Sequence, residues 1–342
     1  MVSYNKISVY AEHIYICLVF YIFIYINKMH NMKHLNTYIT EYIIKKKLDK
    51  PIDSEDHYEY YPKTKEELIE NIKELLDKGE TDLNCIDTSK ITDMSRLFDK
   101  CENNNFDISC WDVSKVKDMK YMFYGCKEFN QDLSNWNTSN VENMSHMFYG
   151  YSKFEGKGLE NWNVGNVTNM SYMFYYCENF DCDLSDWNVN NVKDMKCMFT
   201  WCDNFIGKGL ENWDVSNVKD MTNMFANCEN FKGKGLENWD VSNITNMPGI
   251  FFQCINFNCD LSNWDVSKVE NMNYMFQYCK NFNCDLSKWD VKNVETMTEM
   301  FQNCEKLEGK GLENWDVSNV INMRDMFDGC TSLKNKPSWY KK

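Results

Sequence analysis

Histidine is scarce in this 342-residue chain: it occurs at 13, 30, 34, 57 and 146 only. Nucleophilic triads and most transition-metal sites draw on imidazole. No Ser-His-Asp set, metal-ligand cluster or pair of carboxylates in distinct surroundings stands out. The expectation is therefore a protein that is not an enzyme. Basic charge is also short, with 37 Lys and Arg against 51 Asp and Glu and a net charge of −14. Residues 1–60 hold seven Lys and seven acidic residues, so the imbalance lies in 61–342. Generic nucleic-acid binding needs a basic stripe, which argues against a nucleic-acid partner. Long apolar runs are missing too. The one apolar run, residues 14–26, has 13 residues, where a spanning helix needs about 20. Lys6 is the one positive residue ahead of it, and no small-residue cleavage site follows. Three readings stay open for residues 1–31: a membrane anchor, a signal-peptide core, or upstream sequence if translation starts at Met29 or Met32. Membrane contact is expected only through 14–26, if that segment is retained.

What the chain has is a period. Trp stands at 111, 136, 162, 187, 213, 239, 264, 289 and 315, always 25 or 26 residues apart, with Ile86 in the slot before and Trp339 closing the series. A fixed period of this size marks stacked supersecondary units. Leu stands three before the Trp (Ile108 in one coil), and Val or Thr two after it. This is the leucine-rich-repeat strand pattern, with Trp and Val on one strand face. Val or Ile follows at five, Met at eight, Met (Leu97, Ile250) at eleven, Phe at twelve, and Cys at fifteen, with Tyr151 as the exception. The last four slots have the i, i+3, i+4, i+7 spacing of one face of a short helix. The residue at seven, Asp93 through Asn322, is of N-cap type in every coil. The fold expected is an α/β repeat solenoid: a leucine-rich-repeat-like right-handed coil of about ten repeats with an N-terminal helical cap. One coil buries about eight large side chains at roughly 1.5–3 kcal/mol each. That does not cover about 1–2 kcal/mol of backbone entropy for each of its residues, so coils must stack.

The return loops come in two spellings. One is Phe-Asn-x-Asp-Leu-Ser, as at 257–262. The other carries Gly-Lys-Gly at 156–158, 207–209, 233–235 and 309–311, which adds one residue. Its glycines are expected in left-handed or bulged conformations. A phosphate-binding role for it lacks the spacing of a P-loop. Of sixteen Cys, nine share the fifteenth slot and are expected as a ladder of buried free thiols. Cys182, Cys259 and Cys284 lie five residues after ladder cysteines, a weak zinc pattern without His. The organisation expected is 1–31 apolar segment, 32–62 amphipathic helix (Leu35–Lys47) and linker, 63–82 helical N-cap opened by the capping box at Thr64, and 83–342 solenoid with its C-terminal cap.

In a leucine-rich-repeat strand the residues flanking the middle apolar slot face solvent. The residue after the Trp is Asn137, Asn163 and Asn188, then Asp214, Asp240, Asp265, Asp290 and Asp316. Stacked carboxylates about 4.8 Å apart repel by about 1 kcal/mol per pair even in water. A backbone or serine bond within each coil explains them structurally. A basic peptide, a glycan held through calcium, or calcium itself explains them functionally. No other cofactor is read from the residues.

WDVSNITNM at Trp239–Met247 and its counterparts resemble the BspA-like leucine-rich-repeat surface protein family, whose coils read Trp-Asp-Val-Ser-Asn-Val-Thr-Asn-Met. The resemblance covers about 83–339, and Pro62–Leu97 is similar to the lead-in such proteins carry. It implies a surface or secreted protein that binds host or matrix partners, and no catalytic residue to carry over. The partner expected is a protein or glycan. The site expected is the cell surface or a membrane anchor, or the cytoplasm if translation starts near Met32, where an intracellular scaffold would keep its thiols reduced. The period predicts an array roughly 50 Å long at about 4.8 Å per coil. Small-angle scattering should give one elongated particle, and two compact globules would exclude it.

Overall fold

A computed structural model describes residues 58–101, 106–150 and 153–340. The expectations for residues 1–57, including the 14–26 run and the Leu35–Lys47 helix, and for Tyr151, lie outside the described residues. Among the described residues no helix is long and apolar enough to cross a membrane.

The helix α1 spans Lys65–Asp77. Thr64 Oγ1 accepts from the Glu67 N–H at 3.2 Å, and Glu67 Oε2 accepts from the Lys63 N–H at 2.6 Å. The second bond of the capping box thus falls one residue earlier than the motif implies. Gly79, at φ +80, ends the helix, and its N–H returns to Leu76. Leu68, Ile72 and Leu75 are buried in one cluster with Leu83 and Ile86 of the first coil, whereas Ile69 is exposed. Lys65 ties the start of α1 to Asp93 at 3.2 Å and to Ser95 at 2.6 Å. The last residues of the expected linker belong to the array, because Tyr60 pairs in parallel with Ile86.

Successive coils are joined by parallel bridges that run Asp93, Asp118, Asn143, Asn169, Asp194, Asp220, Asn246, Asn271, Thr296, Asn322. The bridge falls seven residues after the Trp, at the slot expected to cap a helix, and the Leu-x-x-Trp-x-Val segment forms no strand. Nor is there a helix over the Met, Met, Phe and Cys slots; the chain there is a run of turns. In the coil of Trp213 the N–H groups of Met221, Asn223, Phe225 and Asn227 donate to Asn246, Pro248, Ile250 and Phe252 of the next coil. The alternate N–H groups, of Met224, Ala226 and Cys228, donate three residues back within their own coil. Asn223 and Asn227, at φ +54 and +61, are the third residues of two of these turns. The apolar spacing that reads as helical is met by this conformation, and a helix would have spent every N–H inside its own coil.

Side chains join the coils where the backbone does not. The indole of every Trp except Trp201 donates Nε1–H to the carbonyl of Leu or Ile in the preceding coil at 2.8–3.2 Å, from Trp111 on Leu83 to Trp339 on Leu312. Asn four residues after the Trp donates to the preceding coil likewise, as Asn217 does to Asn190 and Asn243 to Ser216. Every cysteine of the described residues is a free thiol. From Cys126 and from Cys177 to Cys330, the ladder thiols donate to the preceding coil's Phe carbonyl at 2.9–3.1 Å. Burial pushes the Cys126 thiol up to about 12 and those of Cys202, Cys228, Cys279 and Cys304 well above the ordinary range. Phe rings twelve after the Trp stack coil to coil, as Phe199 on Phe225 at 5.7 Å and Phe225 on Phe251 at 5.9 Å. A second Phe column leans on the first, with Phe231 4.4 Å from Phe225.

Gly158, at φ +92, could not carry a Cβ without meeting the Ser134 backbone of the preceding coil, so the Gly-Lys-Gly loops are close backbone crossings. Phe225 is fully buried, and Phe225→Ala is expected to cost roughly 3–5 kcal/mol. Asp220 Oδ1 accepts from the Thr222 N–H at 2.8 Å, and Asp220→Ala is expected to cost about 1 kcal/mol. Asn246 is followed two residues on by Pro248, which has no N–H to give, so Asn246→Ala should cost less than Asp220→Ala. Urea unfolding of the three variants checks this order, and equal losses would contradict it.

Candidate binding surface

The eight stripe residues expected from the sequence, Asn137, Asn163, Asn188, Asp214, Asp240, Asp265, Asp290 and Asp316, are all exposed, one per coil. Each Oδ1 accepts the backbone N–H two residues on, at 3.0 Å for Asp214, Asp240 and Asp265 and 3.2 Å for Asp290. These are Asx turns, which shape the bend after the Trp. Hydrogen bonds from Ser216 and Ser318 hold the Asp214 and Asp316 carboxyls below their usual range. The Lys292 ammonium, 2.9 Å away, does the same for Asp290. A shallow hollow of about 320 Å³ lies between Asp240 and Asp265. Among the described residues no group of three or more His, Cys, Asp or Glu gathers as a metal site would. The Cys-x4-Cys pairs point apart in their bonding: Cys177 donates to Phe148, while Cys182 lies 3.8 Å from Glu160. The lysines of three Gly-Lys-Gly loops pair with carboxylates of the preceding coil, Lys157 with Asp132 at 2.8 Å, Lys208 with Asp183 and Lys310 with Asp285 at 2.6 Å.

A second surface escaped the reading of the sequence. Ten, thirteen and fourteen residues after the Trp, side chains leave the core and stand on one face of the array. From the second coil to the fifth, that face carries aromatic side chains. The guanidinium of Arg96 lies 4.0 Å over Tyr121, Tyr121 stacks on His146 at 4.3 Å, and His146 on Tyr172 at 4.5 Å. Beside them Tyr124, Tyr149 and Tyr175 stack at 4.7 and 4.6 Å, and Tyr176 stacks on Trp201 at 5.3 Å. All these rings are half-buried. Several of these side chains grow from residues with positive φ, including Tyr121, His146, Tyr172, Tyr176 and Trp201. That conformation is disfavoured for bulky residues, and the bonds to the next coil hold it. These rings stand outside the Trp and Phe slots whose recurrence marks the core. The signal was Trp201, which stands off the 25/26 register that nine tryptophans keep and Trp339 closes.

Two of the columns end in the coil of Trp187, at Cys197 and Thr200, and the third ends after Trp201 in the coil of Trp213, whose residues on this face are Asn223, Ala226 and Asn227. The break leaves a cavity of about 530 Å³ beside Trp201, bounded by Tyr172 and Tyr175 on one side and by Phe252, Tyr274 and Gln277 on the other. Asn227 is 9% exposed, and its Oδ1 is buried without a hydrogen-bond partner. Thr200 Oγ1 donates to the Asn223 carbonyl at 2.6 Å, and Gln277 Nε2 to Glu299 and Gln302 at 2.6 Å. Burial pushes the Tyr172 phenol above its ordinary range.

A family model described as Mycoplasma protein of unknown function, DUF285, matches residues 66–158, 135–234 and 219–340. No curated protein matches the chain.

Burial between two tyrosines, with Lys120 and Arg96 adding to it, lowers His146 from its ordinary value near 6.5 to about 4. The unfolded chain therefore binds the proton more readily than the folded one between about pH 4 and 6.5, and this contribution to stability falls as pH drops through that window. Replacing His146 with Tyr, the residue in the neighbouring slots Tyr121 and Tyr172, should flatten the dependence by up to about 1.4 kcal/mol per pH unit. Thermal melts of both proteins from pH 4 to 7 check it. Parallel curves would mean that His146 titrates normally.

Proposed function

This chain belongs to the DUF285 family of repeat proteins, and we propose that it is a non-enzymatic binding array that offers one extended face to a protein or glycan partner. We further propose that the array is a right-handed solenoid of the leucine-rich-repeat kind. In this reading its relationship is with the BspA-like surface proteins and its place is the cell surface, as an adhesion-type interaction protein. The observation that carries the binding reading is the set of half-exposed aromatic columns from Tyr121 to Trp201. These rings lie outside the Trp and Phe core columns. Aromatic side chains at a surface supply large contact area at low entropic cost. The stacked strips of one repeat slot suit an extended partner. The stripe from Asn137 to Asp316 is a second, polar contact row in this reading, with basic peptide or calcium-bridged glycan as its partner. An intracellular scaffold using the same face is the alternative, and free thiols that include the exposed Cys110 support it.

The test is binding of the full chain to immobilised extracellular-matrix proteins and glycans. Removing two rings together, Tyr124→Ala with Tyr149→Ala, should weaken binding at least about tenfold, about 1.4 kcal/mol, with the cooperative melt retained. Asp214→Asn, Asp240→Asn and Asp265→Asn together should weaken only partners that use the polar row. Wild-type protein that binds nothing in the set, or double and triple variants that bind as wild type does, would overturn the proposal.

A further inference from the structure

We infer that the cavity beside Trp201 is a subsite for one uncharged pyranose unit of a glycan. This rests on the binding-array reading above and names the ligand class for one part of that face.

Four features converge on it. Its volume, about 530 Å³, lies within the roughly 300–1,000 Å³ of small-ligand sites. None of its lining side chains is a Lys, Arg, Asp or Glu. A phosphate, carboxylate or ammonium ligand would find no counter-charge there, and its desolvation would go uncompensated. The walls are rings. Trp201 lies parallel to Tyr176 at 5.3 Å, within 4°, and the next coil has Asn227 in the slot where a ring would continue the stack. A flat ring that ends a stack suits the C–H face of a pyranose, whose axial hydrogens meet an aromatic face while its hydroxyls point outward. The floor is amide. Asn227 is nine-tenths buried, and its Oδ1 acceptor has no donor within the protein. A buried acceptor in that condition is costly and rare, and a sugar hydroxyl is a donor of the right kind. Asn223 and the Tyr274 hydroxyl add donors and acceptors to the lining.

The break in the columns is what makes the site. The first two columns stop at Tyr172 and Tyr175, because the next coil has Cys197 and Thr200 in those slots, and only the third column continues, from Tyr176 to Trp201. At Cys197, Thr200, Asn223, Ala226 and Asn227 the side chains are smaller than rings, and the space stays open beside Trp201 between Tyr172 and Tyr274. Buried polar groups that can hydrogen-bond a substrate hydroxyl also reject analogues lacking it, so the subsite should discriminate among sugars by hydroxyl configuration.

The experiment uses the full chain and a panel of soluble neutral oligosaccharides: maltotriose, mannotriose, chitotriose, cellotriose and lactose. Saturation-transfer NMR identifies any binder and titration calorimetry measures it. At least one sugar should bind with Kd of about 1 mM or tighter. Trp201→Ala and Asn227→Leu should each weaken it at least about tenfold. Trp201→Phe, which keeps a ring, should weaken it less and serves as the folded control if Trp201→Ala melts early. Ile321→Ala, at an exposed side chain outside the cavity lining, should leave this affinity unchanged. No binding by any sugar of the panel, or binding indifferent to both Trp201→Ala and Asn227→Leu, overturns the subsite. If no sugar binds but the Tyr124/Tyr149 double variant still loses its matrix partner, the subsite falls while the binding-array reading stands. If sugars bind at Trp201 and the matrix assay is insensitive to the Tyr124/Tyr149 pair, the subsite stands and the extended aromatic face falls.

Discussion

Everything in the array depends on how one stretch of backbone divides its N–H groups. Between the bridge residue and the ladder cysteine, alternate N–H groups go to the next coil, one goes to the bridge residue's side chain, and the rest go three residues back. A helix would satisfy the same groups entirely within the coil, leaving side chains alone to join coils. A strand would send them all outward and leave the coil unable to turn. The mixed pattern does both, at the cost of two residues per coil with positive φ. Side-chain donors complete the scheme where the backbone has no partner to offer. The Trp indole, the Asn amide and the Cys thiol each bond to a carbonyl of the coil before.

This explains residue choices that apolarity alone would not require. A Phe could fill the Trp slot, but it could not donate to the Leu carbonyl. A Val could fill the Cys slot, but it would leave the Phe carbonyl with only the backbone bond from its own coil. Burial raises the thiol pKa and keeps the S–H protonated, as the donor role demands. The same strict register copies every outward side chain from coil to coil. One slot becomes a row of Asx turns from Asp87 to Asp316; three others become columns of rings that end at Cys197, Thr200 and Asn227. The polar row is accounted for by its bonds to backbone N–H groups. The aromatic columns are not accounted for by the core, and this is why they carry the functional reading.

Particular residues mark where sequence reasoning succeeded and where it stopped. The burial of Met221, Met224, Phe225 and Cys228 was legible because their slots recur in every coil. The conformation was not, because i, i+3, i+4, i+7 spacing also fits a chain of turns whose inward residues fall at those positions. Asp220 was legible as a residue that bonds a nearby N–H, but the N–H belongs to a turn and not to a helix. Tyr172 and Trp201 stand outside the slots whose recurrence marks the core, so the period says nothing of where they point. Their outward direction follows from positive φ at their slots, and no local propensity announces positive φ at Tyr or Trp.

By itself the sequence determined the repeat length, the number of coils, the members of the core and the capping helix, because each is written as periodicity or as a local signal repeated many times. The family membership rests on the same repetition. Only the tertiary structure decided which groups bond across coils, which face the rings occupy and where the cavity opens. Those features depend on a carbonyl, a ring or a gap supplied by a residue about 25 positions away. A chain read in one dimension reveals what recurs, whereas contacts between neighbouring coils exist only once the coils are stacked.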